Sequence, residues 1–289
     1  MGGIRIIPRP EEKIKEPIKM FQVFDIHTHI YPEQIAEKAC VSLGHFYDFE
    51  VMGRGTYADL ESQAAENNVG GYLLLGVATN PHQVEKVNDH LAATAAYSRS
   101  RGFKTEAFAA MHQDFGDFEK EIDRVSALGI KGVKIHPDIQ GVDINDPRFL
   151  PLYEILEARD MPLYLHMGDN RPQYRFSMAE KLVEILEKFP RLTVGAAHLA
   201  GYQAWDEAVP LLAGRENVWF DTSSALWAMT PEAADAIISR LGTERLMFGT
   251  DYPVKNTAEE LERFFRLKMT DDRREDVLWN NALRCLGIK

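Results

Sequence analysis

Two histidines separated by one residue, His27 and His29, follow the short apolar run FQVFDI at residues 21–26. If that run is a β-strand, its side chains alternate between faces, so both imidazoles point one way while Ile26 and Thr28 point the other. Two imidazoles aimed together at the end of a strand can bind a metal ion, although an isolated His-x-His pair is more often a surface or core feature. The metal-binding hypothesis therefore depends on what the rest of the chain places beside these histidines.

The elements that would position them are repeated along the chain. Short runs rich in Val, Ile, Leu, Phe and Tyr alternate with longer stretches of helical periodicity after residue 20. Strands are predicted near residues 22–26, 71–76, 105–110, 131–136, 162–166, 192–198, 217–222 and 245–249. Eight strands that alternate with helices predict a closed parallel (β/α)8 barrel, the TIM-barrel fold of the α/β class. The alternative is an open doubly wound sheet, but no Gly-rich phosphate-binding loop follows the first strand.

The helices carry start and stop signals. They are predicted, among other places, at residues 56–68, 117–129 and 177–190. Thr56 is an expected N-cap, and Ser177 is expected to cap the third of these helices, with Glu180 completing a capping box. Residues 1–20 do not fit the repeat, because they mix proline with charge, and they predict an extended N-terminal arm. The barrel domain is therefore assigned to residues 21–289.

Composition limits the class of protein. The chain has 289 residues, of which 45% are hydrophobic and 27% charged, as expected of a globular protein with a sizeable core. Its longest apolar runs, such as GYLLLGVA at residues 71–78, fall well short of the roughly 20 residues of a membrane helix. The N-terminus has no uninterrupted apolar stretch like that of a signal peptide. These features predict a cytoplasmic protein with no membrane partner.

Charge and cysteine content limit the kinds of ligand that the protein is expected to bind. The formal net charge of −11 would repel a phosphate backbone, so nucleic acid is not an expected partner. The two cysteines, Cys40 and Cys285, lie at opposite ends of the chain, so a metal site would use nitrogen and oxygen ligands. A small molecule is the expected ligand. A homodimer is retained as an expectation because dimers are common on such folds.

Polar residues cluster at the predicted strand ends, where a barrel of this type places its active site. The histidines at these ends are His27 and His29 after strand one, His136 after strand four, His166 after strand five and His198 after strand six, and Asp251 follows strand eight. Each alone is as consistent with a structural role as with ligand binding. Six converging on one rim favour a functional site.

The chain here resembles the amidohydrolase superfamily, in the amidohydrolase-related branch that includes the aminocarboxymuconate-semialdehyde decarboxylase group. The similarity extends from Phe21 to Leu286 and depends on the motifs DIHTH, GVKIHP, LYLHMGD, AAHLAG, FDTSS and FGTDYP, in that order. Each motif alone is weak, but the ordered set, with every member at a strand end, is specific.

The resemblance implies a ligand set for one divalent metal ion, with zinc as the expected ion. Its members are His27, His29, His166 and Asp251. His198 matches a histidine that in single-metal relatives lies beside the metal-bound water as a base or electrostatic partner. Three neutral imidazoles and one carboxylate also suit Zn²⁺ on chemical grounds. Zinc can lower the pKa of a bound water from about 15.7 to about 7.

One feature leaves the metal count open. Some relatives hold two metal ions bridged by a carboxylated lysine at the end of strand four, where Lys134 and His136 here lie two residues apart. The favoured interpretation is one metal, with His136 contacting substrate or water and Lys134 one layer deeper.

Two loops are expected near the metal. The loop after strand five supplies Arg171 and Arg175, and a guanidinium is the natural partner of a substrate carboxylate. The aromatic segment at residues 43–56 is expected to wall the pocket, although a packed surface loop explains it nearly as well.

The expected reaction is hydrolysis of an amide, lactone or ester bond in a small polar substrate by a zinc-activated water. Asp251 and His198 would be the catalytic residues that move protons. The alternative is non-oxidative removal of CO₂ from a small unsaturated or aromatic carboxylic acid. The same metal site would serve both reactions.

Overall fold

The three-dimensional structure is a computed structural model, and it describes residues 21–288. The arm predicted at residues 1–20 lies outside the described residues. The strands are β1 (Val23–His29), β2 (Val69–Leu75), β3 (Lys104–Ala110), β4 (Gly132–Ile135), β5 (Leu163–Leu165), β6 (Val194–Ala196), β7 (Val218–Asp221) and β8 (Leu246–Met247). All eight predicted strands therefore form, with ends that differ by a few residues from the predicted ones.

Helices separate successive strands. They are α1 (Glu33–Tyr47), α2 (Tyr57–Ser62), α3 (Val84–Ser100), α4 (Phe118–Ala127), α5 (Pro137–Gln140), α6 (Leu150–Ala158), α7 (Ala179–Lys188), α8 (Trp205–Leu212), α9 (Pro231–Leu241), α10 (Thr257–Phe265), α11 (Asp271–Glu275) and α12 (Asn281–Leu286). None of the helices within residues 21–288 combines the length and the hydrophobicity that crossing a bilayer requires.

The strands form one parallel sheet in sequence order that closes on itself. Each strand pairs with the next one along the chain, from β1 to β8. The two ends of the sheet meet where Ile26 N donates to Phe248 O at 3.0 Å and Thr28 forms a parallel bridge with Tyr252. The (β/α)8 barrel prediction is confirmed, and the open doubly wound sheet is excluded.

Two of the predicted helix starts have different outcomes. Thr56 caps α2 as expected, since its Oγ1 accepts a hydrogen bond from Asp59 N at 3.3 Å. Ser177 does not cap α7, which begins at Ala179 without a side-chain cap. Its hydroxyl instead donates to Asp138 Oδ2 at 2.7 Å. The Ser177 hydroxyl therefore binds the buried Asp138 carboxylate of α5 in place of the local backbone, a contact that sequence spacing does not reveal.

Side chains alternate between two apolar regions. The outer region lies between the sheet and the helices and receives, among others, Leu74, Val133, Leu163, Val194 and Phe220. The inner region fills the barrel with Phe24, Ile26, Leu73, Leu75, Phe108, Tyr164 and Met247, against which α12 packs Ala282 and Leu286. Strands buried on both faces read as continuous apolar runs, which is why they were visible in the sequence.

β1 departs from simple alternation. Ile26 packs in the inner region with Phe24, so the prediction that Ile26 points away from the histidines is wrong. His27, the next residue, also reaches the interior, where its Nε2 lies 3.4 Å from Lys134 Nζ. The pairing register with β2 shifts between Asp25 and Thr28. This irregularity explains how two consecutive side chains enter the barrel, because a shift of register re-aims a side chain.

Gly195 of β6 leaves room for the Tyr164 ring inside the barrel, because glycine has no side chain. A Cβ there would lie 1.8 Å from Tyr164 Cδ2, and Tyr164 is fully buried. We expect Gly195→Ala to lower the free energy of unfolding by about 1 to 3 kcal/mol, as overpacking does. Urea unfolding measures this change. Gly116→Ala is the matched control, since a Cβ there has no atom within 4 Å; equal stability of the two variants would contradict the expectation.

Candidate metal centre

Three side chains meet at the carboxyl ends of β1 and β8. His27 Nε2 lies 3.2 Å from His29 Nε2, and Asp251 Oδ1 lies 3.4 Å from the first nitrogen and 3.7 Å from the second. Neighbouring ligands that each lie roughly 2.0 to 2.2 Å from one ion are separated by about 3 to 3.7 Å. The three donor atoms therefore have the spacing of ligands to a common metal ion.

The tautomer of His27 strengthens this assignment. Its Nδ1 lies 3.1 Å from Asp221 Oδ2, and an ionised carboxylate only accepts hydrogen bonds, so Nδ1 carries the proton. Nε2 then presents a lone pair towards His29 and towards the oxygen of Asp251. A lone pair on an imidazole nitrogen beside a carboxylate oxygen is a combination that divalent cations bind, so the donor set fits a metal ion.

Asp221 is hydrogen-bonded to both His27 and His198. It accepts hydrogen bonds from the hydroxyl of Tyr164, from Ser223 N at 2.8 Å and from His198 N at 3.1 Å. Burial raises the pKa of Asp221, whereas the facing imidazoles of His27 and His198 lower it. The net result is a pKa below the ordinary value of an aspartate. Asp221 ends β7 in the FDTSS motif and was given no role from the sequence, although the strand-end rule applies to it.

We expect Asp221→Asn to weaken divalent metal binding by about 10- to 100-fold, because an outer carboxylate orients the imidazole and increases its basicity. Competition with a chromophoric chelator measures the affinity. Asp206→Asn is the control, since Asp206 is exposed in the first turn of α8. Equal affinity in the wild type and Asp221→Asn would contradict an orienting role.

His166, the fourth predicted ligand, lies apart from this trio in the structure. Its Nδ1 is 2.9 Å from His198 Nε2, and its Nε2 is 3.4 Å from Asp138 Oδ2. Its ring stacks on His136 with centroids 4.1 Å apart. His136, Asp138 and His166 form a second group with donor atoms within 4.8 Å of one another. The structure thus brings three of the four predicted ligands together, whereas His166 contacts His198 and His136 instead.

His198 lies between the two groups. Its ring stacks on that of His27 with centroids 5.1 Å apart. Its Nδ1 lies 2.9 Å from Ser223 O, and a carbonyl oxygen only accepts, so Nδ1 bears the proton and Nε2 carries the lone pair. Burial lowers the pKa of His198 to about 4. The residue therefore presents a neutral imidazole with Nε2 directed into the site.

Lys134 and His136 occupy different depths. Lys134 is 1% exposed and its Nζ lies over the Tyr164 ring, 4.8 Å from the centroid. Burial lowers the pKa of this lysine to about 8. His136 Nε2 lies at the outer side, 3.0 Å from the Tyr47 hydroxyl.

The backbone is strained where it carries site residues. His198, Ser224 and Asp251 have positive φ angles of 63°, 49° and 59°. Left-handed conformations of non-glycine residues are uncommon and cluster at functional sites. Ser224 Oγ donates to Asp251 Oδ2 at 2.6 Å, which fixes the carboxylate that faces the histidines.

The two arginines have separate surroundings. Arg175 pairs with Glu207 at 2.6 Å on the surface, so the structure does not bring it to the histidines. Arg171 pairs with the buried Asp169 at 2.6 Å and lies over the Tyr47 ring, 5.1 Å from its centroid.

Tyr47 is a site residue that the sequence did not single out. It ends α1 within the segment expected to wall the pocket, and its hydroxyl contacts His136 Nε2 and His166 Nε2 at 3.0 and 3.4 Å. The rings of Phe46, Phe49 and Tyr202 pack on Tyr47. Tyr174 packs on Phe46 and Trp227 on Phe49, and the five rings together form an aromatic wall. No motif signals this contact, because it depends on how far α1 extends before the chain turns.

The fold and the site together define a class: a (β/α)8 barrel with a candidate divalent-metal centre at the carboxyl ends of its strands. The amidohydrolase family model matches residues 24–288. The chain belongs to the amidohydrolase family, in its amidohydrolase-2 branch.

The chain is similar in sequence to proteins that are named decarboxylases. The chain is 22% identical over 247 residues to 2-amino-3-carboxymuconate-6-semialdehyde decarboxylase of Dictyostelium discoideum, covering 70% of this chain and 66% of that protein. The Caenorhabditis elegans protein of the same name is 23% identical over 238 residues, 58% of each chain. Gamma-resorcylate decarboxylase of Polaromonas sp. is 25% identical over 248 residues, 68% of this chain and 74% of that one. The chain thus spans less than two thirds of the first two relatives.

Solved structures share the fold. The 5-carboxyvanillate decarboxylase of Sphingomonas paucimobilis superposes with a TM-score of 0.72 and 17% identity, covering 93% of this chain and all 100% of the other. A dihydroxybenzoic acid decarboxylase of Polaromonas sp., with bound manganese and the inhibitor 2-nitroresorcinol, has a TM-score of 0.69 and 16% identity over 93% and 98%.

The prediction of a hydrolase is wrong. The named relatives are decarboxylases, which overturns hydrolysis of an amide, lactone or ester bond as the main function. The physical reason is that strand-end histidines and an aspartate indicate a metal site, and a metal site of this kind could serve either reaction. The bond that breaks is selected by loop residues, which the motifs do not include.

Proposed function

We propose that the protein is a metal-dependent, non-oxidative decarboxylase of a small unsaturated or aromatic carboxylic acid. The observation that carries the proposal is the set of possible ligand atoms on His27, His29 and Asp251, within a chain whose relatives are named decarboxylases. The reaction releases CO₂ and leaves a proton on the carbon that bore the carboxylate. It needs no oxidant, because the electron pair of the broken bond stays on that carbon.

His27, His29 and Asp251 would hold the ion, and His166 would join them after a change of its side-chain conformation. Imidazole nitrogens and a carboxylate suit zinc and also manganese, so zinc stays the expected ion and manganese is the second candidate. When bound, the ion supplies positive charge that attracts the substrate carboxylate and stabilises the electron pair left behind.

The chain's own residues would orient the substrate and move the proton. His198 would accept a proton at Nε2 and deliver it to the substrate, since its Nδ1 already carries a proton and is committed to Ser223 O at 2.9 Å. Asp251, fixed by Ser224, would be the second proton-transferring group. The buried Lys134 adds positive charge beneath the site. The aromatic wall would exclude water from the electron-rich carbon, and planar substrates would pack against it.

The test is CO₂ release by the metal-loaded protein. 2,6-Dihydroxybenzoate and 5-carboxyvanillate, whose decarboxylases share this fold, begin a panel of planar carboxylic acids. We expect at least one acid to release CO₂ after zinc or manganese is added, and the release to stop when a chelator removes the metal. A panel that gives no metal-dependent CO₂ would contradict the proposal.

A further inference from the structure

Tyr47 places a hydroxyl at the outer side of the histidine cluster. The hydroxyl lies 3.0 Å from His136 Nε2 and 3.4 Å from His166 Nε2. Its ring stacks on Phe49 at 5.3 Å with an interplanar angle of 4°, and its edge meets Phe46 at 4.8 Å. A polar atom held among apolar rings and imidazoles is suited to orient a ligand, because its direction is fixed by packing.

Arg171 is committed to protein groups. Its Nε and Nη2 donate to the Asp169 carboxylate at 2.6 to 3.1 Å, and its Nη1 donates to Phe46 O at 2.6 Å. Asp169 is fully buried. A substrate carboxylate that took Arg171 would leave a buried charge unpaired, which is strongly unfavourable.

The same contacts attach Arg171 to the end of α1. The hydrogen bond to Phe46 O holds the residue before Tyr47. The guanidinium also lies over the rings of Tyr47 and Tyr174, at 5.1 and 4.1 Å from their centroids. Arg171 therefore acts together with the packed rings to fix the position of the Tyr47 hydroxyl.

We propose that Tyr47 is a substrate-contacting residue, whose hydroxyl, together with His136 Nε2, binds an oxygen substituent next to the departing carboxylate, and that Arg171 is a positioning residue that acts through Tyr47. This inference rests on the proposed decarboxylase function. It replaces the expectation that Arg171 binds the substrate carboxylate. The ligand class is a planar acid with a hydroxyl or keto oxygen beside the carboxylate.

The electrostatic surroundings agree with a neutral donor. Burial and the nearby Asp138 and Asp251 carboxylates hold the pKa of Tyr47 well above its ordinary value. The phenol therefore keeps its proton across the physiological range. A neutral hydroxyl can donate to an anionic or carbonyl oxygen and can also accept, so it serves a substrate that changes charge during the reaction.

The experiment uses titration calorimetry to measure binding of two ligands to the metal-loaded protein: 2-nitroresorcinol, the inhibitor of the Polaromonas enzyme, and nitrobenzene, which lacks both hydroxyl oxygens. We expect Tyr47→Phe to weaken the binding of 2-nitroresorcinol by about 10-fold, the effect of one hydrogen bond, and to leave the binding of nitrobenzene within about twofold. Tyr97→Phe is the matched control, because it removes a tyrosine hydroxyl from an exposed position on α3; it should change the binding of neither ligand.

A double-mutant cycle separates positioning from direct contact. If Arg171 acts through Tyr47, Arg171→Met weakens the binding of 2-nitroresorcinol. Adding Arg171→Met to Tyr47→Phe then produces no further loss of affinity. Losses that multiply would overturn the positioning role. Because Arg171→Met leaves Asp169 without its partner, the pair Asp169→Asn with Arg171→Met provides a second variant with no unpaired buried charge.

Two results distinguish this inference from the proposed function. Unchanged binding of 2-nitroresorcinol in Tyr47→Phe, or no binding by the wild type, would overturn the role of Tyr47 even if CO₂ is released from some acid. Tyr47-dependent binding without CO₂ release from any acid would support the contact and contradict the decarboxylase.

Discussion

Asp251→Asn is expected to be purified with almost no divalent metal, whereas the wild type retains about one equivalent. Asp251 contributes the only anionic oxygen of the His27, His29 and Asp251 trio in the described residues, at 3.4 and 3.7 Å from the two imidazole nitrogens. An amide in its place keeps the shape and loses the charge. Losing a residue that hydrogen-bonds to a metal ligand typically lowers metal affinity by roughly 10- to 100-fold. The loss in Asp251→Asn should be larger, and CO₂ release should fall with it.

Metal content by mass spectrometry, together with chelator competition, checks this expectation. Asp206→Asn is the control for the same chemical change on the surface. Stoichiometric metal in Asp251→Asn would remove Asp251 from the ligand set. Restored CO₂ release at high added metal would support a binding role, since a proton-transferring role is not restored by metal.

His198→Asn should keep its metal and lose about 10²- to 10⁴-fold in kcat, the usual contribution of a positioned acid or base. The residue lies outside the His27, His29 and Asp251 trio, and its Nδ1 is bonded to Ser223 O. Asparagine is chosen because it tolerates the positive φ of 63° at this position.

The measurement is the rate of CO₂ release at saturating substrate, with the metal content of the same sample. His82→Asn, at an exposed position, is the matched control. Metal loss together with activity loss would make His198 a ligand and favour the two-metal alternative. Full activity with full metal would exclude His198 from proton transfer.

The strands were predictable because the barrel buries both of their faces. Residues 71–76 were predicted where Val69–Leu75 forms β2, and residues 105–110 where Lys104–Ala110 forms β3. Burial on both faces requires apolar side chains at nearly every position, and this requirement is local in the sequence. The error at Ile26 has a different origin, since a register shift depends on how β1 pairs with β2.

The candidate site was predictable where a strand end carries a polar residue. His27, His29 and Asp251 were named from this rule, and the structure brings them within 3.7 Å of one another. The role of Arg171 in binding a substrate carboxylate was a prediction of loop proximity alone. Pairing with Asp169 is decided by burial, which the sequence of the loop does not display.

By itself, the sequence determined the barrel and the rim on which its histidines lie, because hydrophobic periodicity and strand-end position are properties of short segments. Only the tertiary structure decided which donor atoms face one another, that Asp221 fixes His27 and that Tyr47 reaches His136. Tyr47 and His136 are separated by 89 positions in the chain. Their contact arises from the packing of α1 over the barrel mouth, and packing is set by the whole fold, so no short segment encodes it.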